Sequence, residues 1–192
     1  MSLRVRTDFD SGNLGEIREV TNDRVVARIH LDEDEHRACS QATWYAARFE
    51  GCEGRPFEVV LTDLGGVYNG RPSHGINEHD APRVSDDGVT WRTLPAGCFD
   101  RDECTFKIRL EPAGDTVWLS HLEPYVDAHL RKLADDLAGR PGVRMEVAGR
   151  SVEGRDIAFW TIGDDDAPHS VWLVARQHAW ETHTSWCIEG AL

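Results

Sequence analysis

The apolar residues of this chain follow two different periods, and the change between them near residue 120 constrains the fold more than any other feature. Upstream of this point, apolar and polar side chains alternate, which is typical of strands with one face in a core. Downstream, apolar residues recur at the spacing of an α-helix at Val126, Leu130, Leu133 and Leu137. We therefore expect an all-β part followed by a part that mixes helices and strands.

Two segments of the first part carry the clearest strand pattern. Residues 24–31 place Val25, Ala27, Ile29 and Leu31 on one face, and residues 105–110 do the same with Phe106, Ile108 and Leu110. Shorter candidates lie at 55–61 and 116–119, whereas residues 69–83 are typical of a long loop. Several short strands separated by turn residues predict an antiparallel β-sandwich, which we assign to residues 1–122.

For the second part, residues 123–192, the pattern predicts the beginning of an α/β domain with a mixed sheet, so that the fold class is α+β overall. Pro124 suits the first turn of a helix, which Gly139 and Pro141 would end. Strand-like segments follow at 143–147, 156–162 and 170–175. The last is continuously apolar, which is typical of a strand buried on both faces.

Composition narrows the class of function. Lys and Arg total 21 against 34 Asp and Glu, a net charge of −13 with neutral histidine, which argues against a broad basic face for nucleic acid. The longest apolar run, residues 171–175, is too short to cross a bilayer, and the N-terminus lacks the apolar stretch of a signal peptide. Five cysteines without a C-x-x-C pair favour reduced thiols, so we expect a cytoplasmic protein with neither nucleic-acid nor membrane partners.

The strongest chemical signal follows the predicted strand at 170–175. His178 and Glu181 come directly after its end, where ligands bind in open α/β sheets, and zinc accepts both residue types. The spacing alone is weak, because His30 and Glu33 repeat it in an acidic stretch where solvent exposure is expected. A hydrogen-bonded pair at a strand end is the alternative, and catalytic zinc needs a third protein ligand.

The surrounding sequence resembles a known family. The run Ala-Arg-Gln-His-Ala-Trp-Glu-Thr-His-Thr-Ser-Trp at 175–186, followed by Glu-Gly, is similar to the zinc-binding segment of M14 metallocarboxypeptidases of the cytosolic carboxypeptidase branch. The family pattern there is Ala-Arg-Gln-His-Pro-Gly-Glu-Thr, then Ser-Trp, then Glu-Gly. Motifs that agree in order over nearly the whole chain lie at 8–13, 44–49, 87–92, 120–125 and 149–155. In that branch a β-sandwich precedes the peptidase domain.

The resemblance implies a function and a site. His178 and Glu181 correspond to the first two zinc ligands, while the third ligand, a histidine, and the general base, a glutamate, are expected downstream of Leu192. The implied activity is zinc-dependent hydrolysis of C-terminal peptide bonds, with peptide or protein C-termini as substrates. Ala179 and Trp180 replace the family's Pro-Gly, which bears on the geometry of the turn or on access to the metal. These 192 residues alone are expected to bind zinc poorly and to have little activity.

Three neighbours of the pair have alternative interpretations. His183 and Cys187 are close enough to suggest a local metal site, but His183 should point elsewhere on a helix and Cys187 is typical of a small buried hydrophobe. Arg176 could face an anion at the strand end, or form a structural ion pair.

A different class of function remains open from the sequence. The sandwich could be a non-catalytic interaction module, or the protein a degenerate peptidase relative, with residues 125–192 as an appended support. A histidine and a glutamate with peptidase spacing beyond Leu192 would favour the enzyme. Because the chain stops at Glu-Gly-Ala-Leu with no cap, we expect it to end inside an element, leaving an apolar face that predicts self-association or instability.

Overall fold

The structure is a computed structural model that describes residues 2–31 and 40–192. Glu33, from the second His-x-x-Glu pair, and Cys39 lie outside the described residues. The chain divides into two compact units, Met1–Pro124 and Tyr125–Leu192.

The first unit consists of strands. In chain order they are β1 (Arg4–Arg6), β2 (Ile17–Val20), β3 (Arg24–Arg28), β4 (Ala46–Glu50), β5 (Phe57–Thr62), β6 (Gly65–Tyr68), β7 (Arg71–His74), β8 (Arg83–Ser85), β9 (Arg92–Thr93), β10 (Cys98–Asp100), β11 (Thr105–Leu110) and β12 (Thr116–Ser120). They form one sheet of order β1-β4-β12-β8-β9, a second of order β10-β11-β5-β3-β2, and the hairpin β6–β7.

The apolar faces of the two large sheets share one core. In the second sheet, Phe106 lies opposite Leu61 and Ile108 opposite Val59, so that the alternating residues of β11 and β5 point to the same side. Phe49 of β4 and Phe57 of β5 join the two sheets, with ring centroids 5.2 Å apart in an edge-to-face arrangement. All of these side chains are buried, which confirms the inward face predicted for residues 105–110. Of the face predicted for residues 24–31, Val25, Ala27 and Ile29 are buried, whereas Leu31 is only partly buried and the strand ends at Arg28.

Two predictions for this unit need correction. β3 and β5 pair in parallel, with Val25 opposite Val59, so the sandwich is not wholly antiparallel. Alternation of apolar residues specifies which face of a strand is buried and carries no information on the direction of its neighbour. The segment 69–83, predicted to be a loop, contains β7 and the start of β8, because pairing partners rather than local apolar content fix these short strands.

The second unit contains α1 (Asp127–Leu137), β13 (Val143–Arg150), β14 (Asp156–Ile162) and α2 (Thr182–Ala191). Leu133 and Leu137 are buried, as the helical spacing predicts. Pro124 precedes α1 instead of opening it, because Val126 has extended backbone angles (φ −108°, ψ 171°) and serves as the N-cap. The backbone N–H of Val126 donates to Nδ1 of His129 at 3.0 Å.

The predicted buried strand at 170–175 is wrong. These residues lie outside every strand of the structure, and Val171, Trp172 and Val174 are 84%, 74% and 75% exposed. β13 and β14 pair with each other along their whole lengths, and residues 170–175 join neither. A strand buried on both faces needs hydrogen-bonded neighbours and covering layers, and the described part of this unit supplies neither for this segment. The described residues therefore do not show the beginning of an α/β sheet.

None of the helices among the described residues is long and apolar enough to cross a membrane.

Candidate metal centre

The candidate metal ligands lie on a tight turn between the exposed segment 170–175 and α2. The backbone N–H of Glu181 donates to the carbonyl of His178 at 3.1 Å, which closes the turn, and that of Thr182 donates to the carbonyl of Trp180 at 2.8 Å. Thr182 begins α2, as predicted for the residues after Glu181. We call residues 176–181 the metal turn.

His178 and Glu181 face each other across this turn. Nδ1 of His178 lies 2.9 Å from Oε1 of Glu181, and the backbone N–H of His178 donates to Oε2 at 3.3 Å. A carboxylate can only accept, so the ring proton of this pair is on Nδ1. The side chains are 62% and 24% exposed, so the pair is open to solvent on the histidine side.

The charge state of Glu181 suits a metal ligand. The hydrogen bond from the His178 side chain is the main cause that lowers the pKa of this carboxyl below its usual range. Glu181 is therefore ionised at neutral pH, the form in which a carboxylate binds a metal ion.

The donor atoms of this pair fit a zinc ion. Tetrahedral zinc with nitrogen and oxygen ligands holds its donors about 3.3 Å apart. Nδ1 and Oε1 are 2.9 Å apart, so transfer of the ring proton from Nδ1 to Nε2 and a small rotation would let both atoms reach one ion. Among the residues that the structure describes, no group of three or more His, Cys, Asp or Glu side chains could hold a metal ion. The two candidate ligands in the described part of the chain are therefore fewer than the three protein ligands that catalytic zinc requires.

Replacement of the family's Pro-Gly by Ala179 and Trp180 does not separate the two donors. Trp180 is partly buried and lies beside His183, with ring centroids 6.3 Å apart. The indole is therefore accommodated without moving His178 away from Glu181.

The other neighbours of the pair differ from expectation. Cys187 has an exposed free thiol, so its prediction as a buried hydrophobe is wrong. Its position on α2 leaves it on the solvent side, because the helix buries the side of Thr182 instead. His183 is exposed and belongs to no metal-binding group among the described residues.

Arg176 bonds to backbone carbonyl groups instead of forming the structural ion pair that was one of its two predicted roles. Its Nε donates to the carbonyl oxygen of Ala179 at 2.8 Å, and Nη1 donates to the carbonyl oxygen of Tyr125 at 2.7 Å. No ion pair in the described part of the chain involves Arg176. Backbone carbonyls leave no mark in a sequence pattern, which is why this role was not predicted.

Sequence reasoning also missed Thr184. Its Oγ1 accepts the backbone N–H of Arg176 at 2.8 Å and donates to the carbonyl of Glu181 at 2.7 Å. The available signal was a threonine in the first turn of a helix, where hydroxyl groups often bond to nearby backbone. Thr184 thus connects the two ends of the metal turn.

Comparison with known proteins decides the family. The sequence model of the family described as "Cytosolic carboxypeptidase N-terminal domain" matches residues 5–122, more than half of the chain. The chain belongs to this family. The resemblance to the M14 cytosolic carboxypeptidase branch is therefore confirmed for the N-terminal region.

Solved structures of bacterial relatives agree with this assignment. A metallo-carboxypeptidase from Burkholderia cenocepacia is 25% identical, with a TM-score of 0.82 over 99% of this chain and 48% of that chain. A metallo-carboxypeptidase from Pseudomonas aeruginosa, solved in complex with (2-guanidinoethylmercapto)succinic acid, is 27% identical. Its TM-score is 0.78 over 97% of this chain and 48% of its own.

An uncharacterised protein of Zymomonas mobilis subsp. mobilis is 28% identical over all 192 residues, which cover 47% of that protein. The chain therefore spans about half the length of the relatives that it matches.

Proposed function

We propose that this chain forms the N-terminal sandwich and part of the metal site of a zinc-dependent carboxypeptidase that hydrolyses C-terminal peptide bonds of peptides or proteins. The observation that carries the proposal is the pairing of His178 Nδ1 with Glu181 Oε1 at 2.9 Å, in a chain whose relatives include metallo-carboxypeptidases. A cytoplasmic location goes with this proposal, supported by the family description and by the free thiols of Cys52, Cys98, Cys104 and Cys187.

In the proposed site, His178 and Glu181 hold the ion from one side. Zinc, when bound, would supply a Lewis acid for the scissile carbonyl and a water of lowered pKa. His178 contributes a neutral imidazole nitrogen and Glu181 a negative charge that offsets part of the charge of the ion. The proposed third ligand, a histidine, and the proposed general base, a glutamate, lie beyond Leu192 in a longer protein.

The test is metal content and peptidase activity of a longer protein that contains this chain. We expect His178→Ala and Glu181→Gln to lose stoichiometric zinc, measured by inductively coupled plasma mass spectrometry, together with release of C-terminal residues from peptides. His183→Ala is the matched control, because it removes an exposed imidazole near the pair and should keep both properties.

Two results would contradict the proposal. Retention of zinc and activity by His178→Ala would refute the ligand assignment. A parent protein with neither zinc nor activity would instead favour the non-catalytic interaction module as the function of the sandwich.

A further inference from the structure

The metal turn holds its shape through one residue with an unfavourable backbone. Arg176 has φ of 59°, in the left-handed region that side chains with a Cβ rarely adopt. Its backbone N–H is bonded to Thr184 Oγ1, and the same hydroxyl donates to the carbonyl of Glu181. Left-handed residues other than glycine persist where the surrounding contacts determine them, and they concentrate at functional sites.

The guanidinium of Arg176 bonds to the turn from its other side. It donates to the carbonyl of Ala179, the residue that directly follows His178, and to the carbonyl of Tyr125 just before α1. The group is partly buried, and burial lowers its pKa from the usual value, but an arginine stays protonated and donates both bonds. The planar fork thus connects the residue between the two ligands to a distant part of the same unit.

Tyr125 is a firm attachment point for this connection. Its ring packs edge-to-face against Trp186 of α2, with centroids 4.9 Å apart, and lies 5.2 Å from the ring of His129 of α1. Both α1 and α2 therefore contribute to fixing the position of Tyr125. The Arg176 bond to Tyr125 therefore ties the metal turn to both helices.

We propose that Arg176 is the positioning residue of the metal turn, which holds His178 and Glu181 with their donor atoms together before a metal ion arrives. This inference rests on the proposed function, because it assumes that the pair binds zinc. Arg176 acts through Ala179 and Thr184 rather than by touching metal or substrate. Residues that orient metal ligands in this way commonly affect affinity by one to two orders of magnitude.

The direction in which zinc affinity changes when the Arg176 side chain is removed distinguishes a positioning role from a purely electrostatic one. A cation close to a zinc ion repels it, so removing the charge of Arg176 should by itself strengthen zinc binding. Loss of a positioning residue should weaken binding, because the free turn no longer presents both donors at once.

The experiment measures the dissociation constant of Zn²⁺ for a longer protein that contains this chain, by competition with a chromophoric chelator. We expect Arg176→Ala to weaken binding about tenfold. Arg176→Lys should recover little of this, since one ammonium group cannot reach both carbonyls. Arg155→Ala is the control, because the exposed side chain of Arg155 in the same unit has, among the described residues, only a 3.8 Å ion pair with Glu153. This variant should bind zinc as the parent does. Unchanged or tighter binding by Arg176→Ala, or full recovery by lysine, would overturn the inference.

A double substitution shows whether Arg176 acts through the ligands. In the His178→Ala background, the further change Arg176→Ala should not alter the residual zinc binding. An equal loss in both backgrounds would overturn the positioning role. If His178→Ala and Glu181→Gln bind Zn²⁺ as the parent does, or the parent takes up none, the ligand assignment of the proposed function fails instead.

A second pair of variants covers the case in which Arg176→Ala unfolds the unit, as judged by thermal melting followed by circular dichroism. Thr184→Val replaces the bridging hydroxyl with a methyl group of similar size, whereas Thr184→Ser keeps it. We expect about fivefold weaker zinc binding for valine and parental binding for serine, from the loss of two hydrogen bonds to backbone. Equal binding by the two variants would overturn the inference.

Discussion

The two units of this chain bury their apolar residues to different extents. In the sandwich, the apolar faces of two five-stranded sheets meet, and side chains such as Phe57, Phe106 and Leu61 are fully buried. In the second unit, β13 and β14 form a two-stranded sheet that exposes Met145 and Ile157. An apolar pattern predicts that burial of a surface would be favourable, but the surface is buried only where an opposing layer packs against it.

The sandwich and the metal turn also differ in the interactions that fix their conformation. The strands of the sandwich are fixed by packing on both sides of a shared core. The metal turn is fixed by hydrogen bonds from Arg176 and Thr184 to backbone atoms, with His178 largely exposed. The sandwich should therefore respond most to changes of volume, and the metal turn to loss of single polar atoms.

The largest expected difference between the units comes from aromatic truncation. Phe106→Ala should lower the free energy of unfolding by about 3–5 kcal/mol, because it removes a fully buried ring from the shared core. Trp172→Ala, which removes a larger ring that is mostly exposed, should cost less than about 1 kcal/mol. Urea denaturation measures both, and equal costs would show that residues 170–175 are covered in solution.

A smaller difference is expected from adding one methyl group. A Cβ on Gly12 would lie 2.1 Å from the carbonyl oxygen of Thr7, a contact that backbone must move to relieve. Gly12→Ala should therefore destabilise the sandwich by about 2 kcal/mol. Gly149→Ala in β13 is the matched control, since a Cβ there meets nothing within 4 Å. Thermal denaturation compares the melting temperatures of the two variants with that of the parent. A melting temperature of Gly149→Ala below that of the parent would contradict the open surface around β13.

An effect that is absent at neutral pH is expected from Cys52 of the sandwich, as a dependence of stability on alkaline pH. Burial raises the pKa of the Cys52 thiol to about 11, so the folded state favours the neutral thiol. The stability that this contributes is complete below the thiol's unfolded pKa of about 8.5 and is lost as pH rises towards 11. The stability difference between the parent and Cys52→Ala should change over that interval and stay constant below it.

Thiol labelling gives the matching comparison between the units. At neutral pH, Cys187 on the exposed side of α2 should react with a disulfide reagent while Cys52 does not, as mapped by mass spectrometry of peptides. Rapid labelling of Cys52 in folded protein would contradict its burial.

The parts of the fold that follow from local pattern could be predicted from the sequence. Alternation marked β3 and β11 and their inward faces, and helical spacing marked α1. The parallel direction of β3 and β5 and the pairing of β7 could not be predicted, because both depend on which distant segment lies alongside. The buried strand predicted at 170–175 is wrong because an apolar run shows only that burial would stabilise the segment. It does not show whether neighbouring strands and covering layers are present.

The candidate site divides in the same way. Residue types and their order pointed to His178 and Glu181, and the structure shows their donor atoms together. That they bind zinc stays a prediction. The roles of Arg176 and Thr184 could not be predicted, since both residues bond to carbonyl groups that every residue carries.

The parallel pairing of β3 with β5 has a consequence for folding speed. β4 lies between these strands in sequence but belongs to the other sheet, so the chain leaves one sheet and returns before Val25 can meet Val59. β12 pairs with β4 across a still longer separation, with Thr116 opposite Glu50. Contacts so distant in sequence require large loops to close first, which slows folding. The hairpin of β13 and β14 closes over a handful of residues. The better-packed unit is therefore expected to complete its structure later than the hairpin of the more exposed one.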